Sequence, residues 1–435
     1  MVKKPIYLLV PIIIVLIVLL IFENRSKRNA GNSDVVEQTQ NPRNEETLLN
    51  PDLIISSHET TTIDEFTEEQ IIIDKIVSTM SLNEKIGQLM LAGIDGTAID
   101  SNTKSLINDY KVGGLILYAE NMSDTRQVVT FLSHIKSANS TNRLPLFLGV
   151  DQEGGQVSRL PKEVAKIPTN KIIGKINNPQ FSFEVGAMLG EQVKAFGFNM
   201  DFAPVLDINS NPNNPVIGNR SFGKDEVVVS ALGIQTMKGI QSQNVISVVK
   251  HFPGHGDTAV DSHFDLPQVN KNIDELQDLE LIPFKQSIEN GADVIMVAHI
   301  LLPKIDAKFP SSLSKSIITD LLRNKLGFDG VVMTDDMTMR AITKHFDIGQ
   351  AAVESVKAGS DIIMVAHDYE KVKAAVNALR IAVQGGEITE DRINTSVKRV
   401  IQLKRNYEMN DEKVEDVDIN KVNDEARKVL KEYVK

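Results

Sequence analysis

From about residue 68 onward the apolar positions follow two alternating rhythms. Short apolar, strand-like runs recur at Leu89–Ala92, Gly114–Tyr118, Leu146–Val150, Met200–Leu206, Ile246–Lys250, Val294–His299, Val331–Thr334 and Ile362–His367. Between most of them lie longer stretches with apolar residues at helical spacing: Asp124–Ile135, Val227–Gln241, Ile273–Glu289, Lys315–Lys325, Gly349–Ala358 and Tyr369–Val383. Runs bounded by polar turns read as strands and the 3.6-residue periods as helices. The Ser81-Leu82-Asn83-Glu84 tetrad has the form of a capping box and marks a helix start. Strands alternating with helices predict an α/β fold, a single (β/α)8 TIM-type barrel over residues 68–407. A doubly wound sheet is the competing topology, but no glycine-rich phosphate turn follows the first strand. The repetition of Ile295-Met296-Val297-Ala298-His299 as Ile363-Met364-Val365-Ala366-His367 fits two equivalent barrel strands.

The segments outside the barrel read differently. Ile6 to Phe22 is almost wholly apolar, follows Lys3 and Lys4, and precedes a polar stretch with no small-x-small cleavage pattern. We read residues 1–28 as an uncleaved signal anchor, which predicts a single-pass membrane protein with its domain outside the cell, or a secreted one if the segment is removed. Residues 29–67, rich in Asn, Glu, Thr and Ser, are expected to form a disordered tether. Residues 408–435 form a charged tail, expected to be frayed or lightly packed. A net charge of −11 argues against nucleic acid as a partner, and the absence of cysteine excludes disulfides and thiolate metal sites. A monomer is expected.

The predicted strand ends collect the reactive side chains. The third ends in Asp151-Gln152-Glu153-Gly154-Gly155, and the fourth in Asp207 followed by Gly218-Asn219-Arg220-Ser221-Phe222-Gly223. The fifth runs into Lys250-His251-Phe252-Pro253-Gly254-His255-Gly256 and Asp261-Ser262-His263, the sixth and eighth end in His299 and His367, and the seventh in Asp335-Asp336. On a barrel, all of these converge on the C-terminal mouth, where such enzymes keep their chemistry. Asp335 should project into that mouth, able to attack an electrophilic carbon, with Asp336 supporting it or capping the next helix. Asp261 lies two residues from His263, a spacing at which a carboxylate can hold and orient an imidazole. Lys250, His251, Arg159 and Arg220 supply donors for hydroxyl or carbonyl oxygens, although Arg159 has Glu153 as an alternative salt-bridge partner. His251, His255, Asp257, Asp261 and His263 are also metal-ligand types, so a metal-dependent hydrolase stays open, but their spacing follows no standard zinc pattern.

Taken in order, these motifs resemble the β-N-acetylhexosaminidases of glycoside hydrolase family 3, over roughly Glu68 to Asn406. The resemblance implies a retaining mechanism without metal or other cofactor, with Asp335 as nucleophile, His263 as acid/base and Asp261 tuning it. It also implies sugar contacts from Asp151, Arg159, Arg220, Lys250 and His251. With an outward-facing anchor, the expected substrate is a peptidoglycan fragment bearing terminal β-linked N-acetylglucosamine. A phosphorylase or β-glucosidase of the same family and a non-catalytic wall-binding protein are the alternatives.

Overall fold

The computed structural model describes residues 60–434, apart from 415 and 416, so the signal anchor and nearly all of the predicted tether lie outside the described residues. Eight strands form one parallel sheet: β1 (Met90–Gly93), β2 (Gly114–Leu117), β3 (Phe147–Val150), β4 (Met200–Asp201), β5 (Ile246–Phe252), β6 (Val294–Val297), β7 (Val331–Thr334) and β8 (Ile363–Val365). Their hydrogen-bonded order is β8-β1-β2-β3-β4-β5-β6-β7. The seam between β7 and β8 is held by a bridge from Met333 to Ile362 and by the Thr334 N–H, which donates to Ile362 O at 3.0 Å. The result is a nearly closed parallel barrel of the predicted kind.

Side-chain parity along each strand explains both the core and the site. Leu91, Ile116, Phe147, Met200, Ile246, Val248, Val294, Met296, Val331, Met333, Ile362 and Met364 pack together inside the ring. Their strand neighbours, such as Leu115, Leu148, Val249, Ile295, Val332 and Ile363, pack outward against the helices. Every strand is therefore buried on both faces, which is why the runs read as continuously apolar rather than alternating. Continuing the inward parity past the strand ends gives Tyr118, Asp151, Lys250 and Asp335.

The predicted elements form with shifted edges. The box at Ser81 and Glu84 starts the helix Leu82–Gln88 with both reciprocal bonds made, and Asp124 caps Thr125–Asn139. The run Met200–Leu206 is regular for only two residues, because Pro204 has no N–H to give the ladder. The segment Ile273–Glu289 is two helices, Ile273–Gln277 and Leu281–Glu289.

The tail differs from a frayed end. Its helix Ile419–Tyr433 is strongly amphipathic and buries Val422, Asn423 and Ala426, with Tyr433 stacked on Phe181 of the helix Pro179–Phe196. Asn423 accepts from the Ala165 N–H at 2.6 Å and donates to Glu163 O at 2.8 Å, fastening the loop that follows Arg159. Judging that segment by its charge overlooked its buried stripe.

Candidate active site

A cleft of about 540 Å³ opens at the C-terminal mouth, and all eight sequence-predicted site residues line it: Asp151, Arg159, Arg220, Lys250, His251, Asp261, His263 and Asp335. At its floor, Lys250 is buried and reaches Asp151 Oδ1 at 2.6 Å and Glu153 Oε1 at 2.7 Å. Arg220 donates twice to Glu153, at 2.9 and 2.7 Å. Burial opposes the charge on Glu153, but Arg220 and Lys250 outweigh it and hold its carboxyl far below the usual range. Burial likewise opposes the ammonium of Lys250, yet Asp151 and Glu153 raise its pKa. The floor is thus a hydrogen-bonded lattice in which Glu153 is held as carboxylate and Lys250 as ammonium. The salt bridge considered for Arg159 goes to Arg220 instead. Arg159 lines the cleft, and its buried Nε–H has no acceptor among the described residues.

The β5 ladder shifts register between Val249 and Phe252, so consecutive residues Lys250 and His251 both reach the cleft. His251 donates from Nδ1 to Asp207 Oδ2 at 2.6 Å, leaving Nε2 to face the Arg220 guanidinium at 3.4 Å. Burial works against the charge of Asp207, but His251 holds its pKa low.

Asp335 is half-buried and accepts from the Asp336 N–H at 2.8 Å. Burial would raise its pKa, but His299, His251, that backbone N–H and Lys250 lower it, so it stands ionised at neutral pH. Asp336 has outward parity and a different task. Its Oδ1 accepts from the N–H groups of Thr338 and Ala366, both at 2.9 Å, tying the β7 loop to the end of β8. His299, expected at the mouth, is buried behind it, with Nδ1 2.7 Å from Ser312 Oγ and Nε2 donating to Asp336 O at 2.9 Å.

His263 donates from Nδ1 to Asp261 Oδ1 at 2.7 Å, and its own backbone N–H donates to the same oxygen at 2.8 Å. Its side chain is 64% exposed, and Nε2 has no partner among the described residues. The loop beneath is propped from inside. Asn214 donates to His255 O at 2.8 Å and to Thr258 O at 3.1 Å, while His255 sits with Nδ1 2.8 Å from Thr258 Oγ1 and Nε2 3.4 Å from Ser262 Oγ. Burial pushes the His255 pKa down to about 4, so this imidazole is neutral. The Ala341 N–H donates to Ser262 O at 3.1 Å and fastens the loop to the segment after β7. His251, His255 and His263 each spend Nδ1 on a different partner, and Asp257 pairs with Lys271 at 3.1 Å. Among the described residues no three such donors gather as a metal site would require.

Sequence reasoning gave no role to Asp207, Asn214 or Tyr118. Tyr118 stacks on His367 at 5.0 Å and walls the cleft. Its inward parity after Ile116 was the available signal.

A barrel with an ionised carboxylate, a carboxylate-held imidazole and a preformed donor lattice at its mouth has the equipment of a glycoside hydrolase. The description "Glycosyl hydrolase family 3 N terminal domain" matches residues 81–403, and the chain belongs to that family. It is similar to the Beta-hexosaminidase of Nitrosomonas eutropha, 33% identical over 73% of this chain and 92% of that protein. Beta-hexosaminidase A of Pseudoalteromonas piscicida is 36% identical over 71% of this chain, which spans 56% of that relative's length. Among solved structures, a family 3 beta-N-acetylglucosaminidase from Paenibacillus superposes with a TM-score of 0.77 at 38% identity, covering 82% of this chain and 69% of that one.

Proposed function

We propose that this chain is a retaining exo-β-N-acetylglucosaminidase acting on peptidoglycan-derived fragments outside the cell membrane. The observation that carries this reading is the pairing of an ionised Asp335 with the Asp261-held His263 imidazole in one cleft. In the first step an Asp335 oxygen bonds to the anomeric carbon as the glycosidic C–O bond breaks. His263 gives its Nε2 proton to the departing oxygen. In the second step water attacks the anomeric carbon, His263 takes a proton from that water, and Asp335 departs as carboxylate. Asp261 orients the ring through Nδ1, so Nε2 is the nitrogen turned to the substrate. Asp151, Lys250, Arg220, His251 and Arg159 bind the terminal sugar, a polyhydroxylated ring suited to alternating donors and acceptors.

The experiment uses an aryl N-acetyl-β-glucosaminide. Asp335→Ala is expected to lose turnover by at least three orders of magnitude. His263→Ala is expected to show a burst equal to the enzyme concentration, and added azide should restore turnover and yield the β-glycosyl azide. Full activity in Asp335→Ala, or an α-configured azide product, defeats the mechanism. The anchor and extracellular placement rest on the apolar run Ile6–Phe22 and are checked by fractionating cells and treating them with external protease.

A further inference from the structure

Two arginines line the cleft without an ion-pair partner among the described residues, and they lie at different depths. Arg159 is half-buried beside the sugar-binding floor. Arg340 is exposed at the rim, where it begins the short helix Arg340–Thr343. Its guanidinium makes no side-chain hydrogen bond. The carboxylate of Asp265, on the loop across from it, is already engaged by Lys344 at 2.8 Å and by His345 at 3.4 Å.

Arg340 stands on the side of the cleft that holds the acid/base group. The residue after it, Ala341, is bonded through its N–H to Ser262 O, between Asp261 and His263. A group that gives its proton to the leaving oxygen must sit beside the leaving group, and Arg340, one residue from the bond that anchors the loop of His263, lies on that side of the cleft. An unpaired guanidinium lining the cleft beside the loop of Asp261 and His263 matches a partner that is anionic at that point.

We propose that Arg340 is a specificity-determining residue that binds a carboxylate carried by the leaving group, so that acidic aglycones are preferred over neutral ones of the same shape. This rests on the assignment of His263 as the group that protonates the leaving oxygen. The cleaved bond is the same for both classes of substrate; only the presence of a carboxylate on the released sugar differs.

The test compares two β-1,4-linked disaccharides with terminal N-acetylglucosamine. In one the second sugar carries a lactyl ether as the free acid, and in the other that carboxylate is an amide. The acid-to-amide ratio of kcat/KM is measured for the wild type, Arg340→Gln and Arg340→Lys. The wild-type ratio is expected to exceed that of Arg340→Gln by roughly two- to fivefold at low salt, the scale of a solvent-facing charge pair. Arg340→Lys should keep part of it, and the excess should shrink in about 0.5 M salt. Because the readout is a ratio, a general change in rate does not move it. Equal ratios in the wild type and Arg340→Gln, or a wild-type ratio indifferent to salt, overturn the proposal while leaving the glycosidase reading intact. Failure of the wild type to cleave any N-acetylglucosaminide would sink both.

Discussion

Replacing Glu153 with glutamine keeps the side-chain shape and removes one buried charge. The wild-type carboxylate receives two bonds from Arg220, at 2.9 and 2.7 Å, and lies 2.7 Å from Lys250 Nζ. After the change Lys250 still has Asp151 at 2.6 Å, but Arg220 loses its carboxylate partner and keeps only neutral acceptors, the new amide oxygen and the His251 ring nitrogen at 3.4 Å. Breaking one partner out of a buried ion pair costs about 3–5 kcal/mol. Arg220 retains 18% exposure and can reach water, which favours the lower end, about 3 kcal/mol. For a domain of this size that corresponds to a Tm lower by roughly 4 °C. The sign with pH follows from the depressed carboxyl. Its stabilisation is complete at neutral pH and is withdrawn only as pH falls toward the folded-state value, so the variant should differ most from wild type at pH 6–7 and least in strong acid. Calorimetry at several pH values measures this, and Glu153→Gln/Arg220→Gln should be less destabilised than the sum of its single changes. A Tm within about 1 °C of wild type at pH 7 would mean the lattice contributes little to the fold.

His255 supplies a second pH signature. Its folded pKa of about 4 lies below the ordinary 6.5, so the unfolded chain binds a proton that the native one refuses, and stability falls as pH drops from 6.5 to 4. At pH 4.5 this amounts to about 2.5 kcal/mol relative to pH 7. Urea denaturation of His255→Gln should show that much less acid sensitivity, and an unchanged pH slope would refute it. Gly256→Ala places a Cβ 1.7 Å from Ile208 O, a backbone atom that cannot yield without moving the loop. We expect a loss of more than about 2 kcal/mol and at least a tenfold drop in kcat on the aryl substrate, and wild-type values in both would show that the loop tolerates the displacement.

Much of the site could be read from the chain because its residues sit at strand ends, where parity alone decides which side chain enters the mouth. The choice of Asp335 over Asp336 follows from Val331 and Met333 facing inward, and Lys250 is placed by Ile246 and Val248 in the same way. Parity also had an answer for His299, outward after Ala298, but crowding of histidines at the strand ends concealed it. His251 escapes the rule because the β5 ladder slips a register, a feature that no run of apolar residues encodes. Pairings among charges were less legible still. Glu153 lies six residues from Arg159 yet takes Arg220, because the hairpin of Gln152–Gly154 with Val157–Ser158 turns Arg159 away. The loop prop Asn214 depends on contacts across more than forty residues and leaves no local signature.

On the proposed role of Arg159 in holding the terminal sugar, the grip of Asn423 on Glu163 and Ala165 gives the last described helix a bearing on sugar affinity. That helix does not touch the cleft, but it steadies the segment on which Arg159 is mounted. A cut or fusion that unseats Ile419–Tyr433 would therefore first be felt as weaker hold on the terminal sugar, with the barrel still folded and Asp335 still in place. Residues remote in sequence from Arg159 would then act as a buttress for ligand capture.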